Sequence, residues 1–285
     1  MKTTTKSTIK PRVRKDYLIP DALWNEIVPV LPKHITHYPL GCHRKRVDDR
    51  SAMNAIFFVL KTGCQWNALN ATGICSSSSA HRRFQEWNEA GVFRKLWKKS
   101  LERYDELKGI DWSFCSMDGA MTKAPRLEGK KRGPNPTDRA KQGAKRSLLT
   151  EGQGGPIGVA VDGANRNDFK MTKETIISIP IKRPKPTKKK RQGMCLDKGY
   201  DFDEVRRLLR RFHFVPPIRS RGEEAQRMKK NPRWKARRWV VERTHSWMNR
   251  FRDILICWTK KPENFLAQLH LACAYITLGQ CGLLG

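Results

Sequence analysis

The chain has 285 residues, 58 of them Lys or Arg and 27 Asp or Glu, for a formal net charge of +31. That length excludes a small stapled scaffold and allows one large domain or two small ones, while 38% hydrophobic residues, with nine Trp and eleven Phe, exclude a disordered basic tail. So large a charge repels itself in a compact state unless anions neutralise part of it, which makes DNA or RNA the leading partner and an anionic membrane the second.

Eight cysteines (Cys42, Cys64, Cys75, Cys115, Cys195, Cys257, Cys273 and Cys281) include no Cys-x-x-Cys pair, so zinc-finger spacing is absent. With no apolar leader and no stretch of about 18 apolar residues, the expectation is free thiols in a reducing cytoplasm. Residues 1–17 are basic and polar, a flexible arm that either lies along phosphates or is simply solvated.

From residue 18 to about 108 apolar residues recur at helical spacing. Asp21 is placed to cap a first helix with Leu23, Trp24, Ile27, Val28 and Leu31 on one stripe, stopped by Pro32. A second follows Asp49 or Ser51 and runs to Gly63, with Asp48 and Asp49 read as its cap and as local partners of Arg46 and Arg50. Ser76 to Ser79 precede a third, His81 to Asn88, in which Arg82 and Arg83 share a turn with Phe84 and Trp87, and a fourth spans Val92 to Leu107. Short helices with a basic third one resemble a helix-turn-helix reader whose Arg82 and Arg83 meet DNA. A plain helical bundle with a solvated basic face fits the same pattern.

After Gly109 the texture becomes mixed. Residues 111–120 read as a short strand ending at Asp118, 123–144 as a Gly, Pro, Lys and Arg-rich loop, and 147–164 as a hairpin around the glycine turn 152–155. A helix over 171–180, a basic proline-punctuated linker to Gln192, a strand ending at Asp197 and an amphipathic helix over 201–212 follow. A short strand near Val215, a basic linker over 219–233, a long helix from Trp234 to Arg252 and a closing helix from Phe265 to Leu278 complete the chain. Alternating strands and helices imply a mixed α/β sheet with helices packed on it.

Asp118, Asp197 and Glu242 stand where polar residues are least expected, two at strand ends and one behind Val240 and Val241 in a helix. Strand ends open onto the crevice where α/β sheets bind ligands. Three carboxylates gathered there repel one another unless a divalent cation neutralises them, and hard oxygen ligands select Mg²⁺ or Mn²⁺. Two such ions suit phosphodiester displacement. Taken singly, each acid is as well explained as a turn or cap residue; the strand, strand, helix order on a basic chain is what singles out the set.

The segments SMDGA, CLDKGYD and WVVERTHSWMNRFRD resemble the three acidic motifs of bacterial insertion-sequence DDE transposases. Residues 21–97 are similar to that family's helical N-terminal region, and DRAKQGAKRSLLTEGQGGPIGVAVDGANRNDFK to its second-strand hairpin, so the likeness runs from about Leu18 onward. The resemblance implies an RNase H-like catalytic core over residues 109–285 behind a helical DNA-binding region over 18–108. It implies Asp118, Asp197 and Glu242 as a catalytic triad holding two Mg²⁺ ions, with Mn²⁺ able to substitute, and double-stranded DNA as substrate, bound by a homodimer on the element ends and the target.

Around Glu242, Arg238, His245 and Asn249 share one helix face. Arg238 matches a family arginine four residues before the acid, an implied phosphate clamp. Asn249 stands where related groups often carry lysine, so Arg250 or Arg252 takes that part, and Lys235 replaces an expected tyrosine. Lys198 and Lys123 follow the aspartates closely enough to meet phosphate. His81 and His213 read as structural histidines, and Asp162 and Asp168 as turn residues that also stand near enough in sequence to approach the metal site. The basic run from Lys182 to Arg191 reads as a DNA-facing linker. Trp234, Trp239, Trp247 and Trp258 read mostly as core, with one free to stack on a base. Neither a membrane nor a small-molecule substrate is called for, and the expected location is the cytoplasm, at the nucleoid. Two other readings share these features: a catalytically silent DNA-binding regulator, and a metal-dependent nuclease without strand transfer.

Overall fold

The computed structural model describes residues 13–34, 46–215 and 239–284. Cys42, most of the basic arm, the linker 219–233, Trp234, Lys235 and Arg238 lie outside those residues.

Four helices come first: α1 (Asp21–Ile27), α2 (Asp49–Thr62), α3 (Ser77–Glu89) and α4 (Val92–Lys108). Pro29 lacks the N–H that would continue α1, so the chain tightens into a 3-10 turn at Val28–Val30, earlier than the stop expected at Pro32. Asp21 lies inside α1, pairs with Arg50 and leaves the cap position to Pro20. Asp48 caps α2 by accepting from Ser51 N at 2.9 Å, and Gly63 ends it in the left-handed region at φ 65°. The serine run is part of α3, with Ser76 as its cap.

The sheet strands are β1 (Phe114–Lys123), β2 (Gly133–Pro134), β3 (Gln142–Thr150), β4 (Pro156–Gly163) and β5 (Gly193–Cys195). β3 pairs antiparallel with β1 and β4, and β5 pairs parallel with β1. A parallel bridge from Gly193 to Val215 extends the sheet beyond β5. The order β4-β3-β1-β5, with three antiparallel strands followed by parallel ones, is RNase H-like. The remaining helices are α5 (Asp168–Ile177), α6 (Asp203–Arg211), α7 (Trp239–Met248), α8 (Arg252–Leu255) and α9 (Pro262–Gln280). The long helix expected to reach Arg252 ends at Met248, and the chain turns before α8.

β1 runs five residues past Asp118, so that acid is mid-strand rather than at a strand end. What ends near it is the parallel pairing: Ser116 faces Cys195, and β5 goes no further. The strand is buried on both faces at Cys115, Ser116 and Met117 and opens from Asp118 onward. Asp197 follows two residues after the last paired residue of β5, as Asp118 does on β1.

One apolar cluster runs from Ile19 through Trp97, Leu148 and Leu196 to Leu278, so the N-terminal helices share their core with the sheet. Trp97 of α4 donates to Pro156 O at 3.0 Å and stacks on His270 of α9, 5.3 Å between centroids. Each large apolar side chain buried there contributes roughly 1.5–3 kcal/mol. The described cysteines are all free thiols. No described helix is long and apolar enough to cross a membrane.

Candidate active site

Strand alternation points Asp118 and Arg146 to one face of the sheet and Gly119, Lys145 and Ser147 to the other. α7 covers the first face and α5 the second. On the α7 side, Asp118, Asp197 and Glu242 line one cavity of 60 Å³ together with Met117 and Val241. Three separate elements therefore deliver one acid each: β1, the turn after β5, and the first turn of α7. Among the described residues no set of three His, Cys, Asp or Glu side chains is gathered at metal-ligating distances; the acids share a cavity wall.

Burial pushes the Asp118 carboxyl up to about 6, and the negative charges of Asp168, Glu242 and Asp197 add to that, against a hydrogen bond from Gly119 N. The excess negative charge and the all-oxygen donor set suit a hard divalent cation.

Asp168 is the acid whose weight the sequence understated. It opens α5, and a methyl group at Gly119 would collide with its carboxylate, so the glycine is what lets Asp168 lie across β1. Lys145 holds it at 3.2 Å and also donates to Arg166 O at 2.7 Å. Asp162 does turn chemistry, accepting from Gly163 N at 2.8 Å and pairing with Arg166 at 3.4 Å. Burial pushes the Tyr200 phenol well above its ordinary range, and the charges of Asp168, Asp118 and Asp197 add to that, against a lowering by the Ser147 hydroxyl.

Comparison with known proteins gives matches along most of this length. Residues 19–97 match the family described as "Putative transposase of IS4/5 family", and residues 110–278 match the family described as "Transposase DDE domain". The chain belongs to the DDE transposase family. Among its relatives is the "Putative transposase for insertion sequence element IS402" of Burkholderia cepacia, 37% identical over 150 residues that cover 51% of this chain and 68% of the relative. A second, the "Insertion element IS402 uncharacterized 16.2 kDa protein" of the same organism, is 34% identical over 108 residues, covering 38% of this chain and 74% of the relative. Among solved structures, the catalytic domain of Mos1 mariner transposase overlaps 66% of this chain and 92% of its own at 11% identity and a TM-score of 0.28. A pre-cleavage Mos1 transpososome overlaps 88% and 82% at 12% identity and a TM-score of 0.27. Family membership makes the chain a bacterial insertion-sequence transposase with the polynucleotidyl transferase chemistry of that class.

Several residues expected to touch DNA have other engagements in this family member. Arg83 is 5% exposed, pairs with Asp49 and with Glu86 at 3.5 Å, and sits over Trp87, which removes it from the DNA-facing set; only Arg82 of that pair is exposed. Asp49 therefore pairs with α3, not with its neighbours in sequence. His245 is 7% exposed; burial pushes its imidazole down to about 3, aided by the Arg146 charge, and its ring bridges Arg146 to Asp118 O instead of facing DNA. Asn249 accepts a hydrogen bond from Arg146. Arg250 is exposed, and Lys198 opens the 3-10 turn Lys198–Tyr200. Trp239 and Trp258 are exposed, and Arg243 stacks between Trp239 and Trp247 at 4.5 and 4.7 Å.

Proposed function

We propose that this transposase cuts DNA at the ends of its element and joins the freed 3′-hydroxyls to target DNA, with Asp118, Asp197 and Glu242 as the reacting centre's acids. The observation that supports this most is the single cavity lined by one carboxylate from each of three elements. These three carboxylates would hold Mg²⁺, or Mn²⁺ in its place, two ions in all, and the metal would supply polarisation of a nucleophile and stabilisation of a leaving oxygen. Asp118 on β1 and Asp197 in the turn after β5 line the same cavity and set the centre's floor. Glu242 reaches it from a helix and sets the third side. Basic residues hold the phosphodiester strands: the exposed Arg82 on α3 and Arg250 beyond α7, with Arg238 and Lys198 close to the acids in sequence. The helical region 18–108 binds the terminal repeats, residues 109–285 carry the chemistry, and two copies act as a homodimer on paired ends.

Joining of a labelled element-end duplex to a target plasmid tests this reading. Joined product that needs Mg²⁺ and Asp197 is the expected result. Metal-dependent cutting without joining selects a nuclease instead, and end binding without cutting selects a silent regulator.

A further inference from the structure

Arg146 is a cation in the wrong place for a solvated DNA contact. It lies in β3, 3% exposed, opposite Ala120 on the same sheet face as Asp118. Burying a guanidinium costs several kcal/mol unless its donors are met. No described carboxylate pairs with it; four neutral acceptors meet it instead. Its Nε donates to His245 Nδ1 at 3.4 Å, its Nη1 to Thr122 Oγ1 at 3.3 Å and to Ile254 O at 3.5 Å, and its Nη2 to Asn249 Oδ1. Those acceptors belong to β1, α7, the turn after α7, and α8, so one side chain of β3 ties these four segments together.

The consequence reaches the acids through His245. A guanidinium can only donate, so Nδ1 must be the accepting nitrogen and the neutral ring carries its proton on Nε2. That proton points at Asp118 O, 3.3 Å away. Arg146 thus fixes the tautomer that links α7 to the backbone of the residue bearing the first acid, and His245 is three residues from the third acid, on the same helix face. Asn249, engaged through a second nitrogen, pins the end of the same helix. A plain core role needs no cation here: an apolar side chain would fill the space without the desolvation cost.

We propose that Arg146 is a positioning residue for the acid centre: through His245 and Asn249 it sets the distance and register of Glu242 against Asp118. The inference rests on the metal-centre reading above and adds a residue that touches neither metal nor DNA. Supporting partners of this kind typically change metal affinity roughly 10–100-fold.

The test uses the full-length protein, with Mn²⁺ affinity read by paramagnetic resonance, duplex affinity by fluorescence anisotropy, and the His245 tautomer by imidazole nitrogen NMR shifts. Arg146→Lys keeps the charge but cannot span four acceptors. Its expected result is duplex affinity and melting near the parent, a 10–100-fold loss of Mn²⁺ affinity, and loss of the single Nε2-protonated form. Parental Mn²⁺ affinity in a folded Arg146→Lys overturns the proposal. If that variant does not fold, Asn249→Ala decides: it sits at the surface, and a several-fold loss of Mn²⁺ affinity upholds the role while no change overturns it. Glu242→Ala run alongside separates the two layers, because Mn²⁺ binding that it leaves untouched overturns the metal centre itself and the Arg146 role with it.

Discussion

Arg82 and Arg83 are neighbours in sequence whose surroundings differ by a 100° step around α3, and that step decides what each does. Arg83 turns inward to Asp49, Glu86 and Val47 O, whereas Arg82 faces solvent. Replacing Arg83 with Ala removes the pair to the partly exposed Asp49, while Glu86 keeps Arg46 at 2.7 Å, and is expected to cost about 2 kcal/mol in denaturant unfolding. Arg82→Ala leaves stability within about 0.5 kcal/mol and lowers the slope of log affinity against log salt by about one. An unchanged slope would remove α3 from the DNA contact. Asp253, 4% exposed on α8, carries a different kind of prediction. Burial pushes its carboxyl up to about 7, against a hydrogen bond from Gln268. The fold keeps this acid neutral while the unfolded chain ionises it above about pH 4. Its contribution is therefore complete below that pH and is lost as pH rises to about 7, by about 4 kcal/mol at most. Asp253→Asn should flatten the melting temperature across that window and melt higher than the parent at pH 8; a slope like the parent's contradicts the assignment.

At the scale of elements, most helices were legible because their apolar spacing is regular, and their ends were legible only where a local signal exists. Asp48 and Gly63 bound α2 with a cap and a left-handed exit, both visible as letters. β1 was cut short because Asp118-Gly119 looks like a turn, yet pairing with β3 continues to Lys123 opposite Gly143. That longer ladder draws Lys145 and Arg146 into the interior, two adjacent basic residues that fall between the loop read over 123–144 and the hairpin read from 147. α7 stops at Met248, three residues before Phe251, which is buried against Lys61 of α2 and Tyr275 of α9, a packing that no local pattern reports. The turn between β3 and β4 is the second brace on α7: Thr244 donates to Gly154 O at 2.8 Å and Arg243 donates to Gln153 O. Gly154 has φ +93°, and an added methyl would lie 2.7 Å from the Arg243 guanidinium and 3.2 Å from Thr244 Oγ1. Gly154→Ala should destabilise by about 1–3 kcal/mol and cut the rate of strand cleavage more than duplex affinity. Equal loss of both would show that the turn does not act through the helix of Glu242.

For the whole molecule, net charge and motif order announced a basic α/β protein with three separated acids, and the sheet places those acids around one cavity. The covering of the sheet by the N-terminal helices was not legible, because long-range docking leaves no periodicity in sequence. Trp97 shows how it is made: the indole closes α4 onto β4 by satisfying Pro156 O and fills the space against His270. Trp97→Phe removes that buried donor and should cost about 1–3 kcal/mol, read as a lower denaturant midpoint with a single transition. Two separate transitions would mean that the helical region folds apart from the sheet. The central claim is that Asp118, Asp197 and Glu242 work as one unit, and the most direct measurement is cleavage of an element-end duplex in Mg²⁺ by the three single Ala variants and the triple variant. Each single change is expected to remove as much rate as all three together, with duplex binding and melting retained. Losses that add across the three, or a single variant that still cuts at the parental rate, would contradict it.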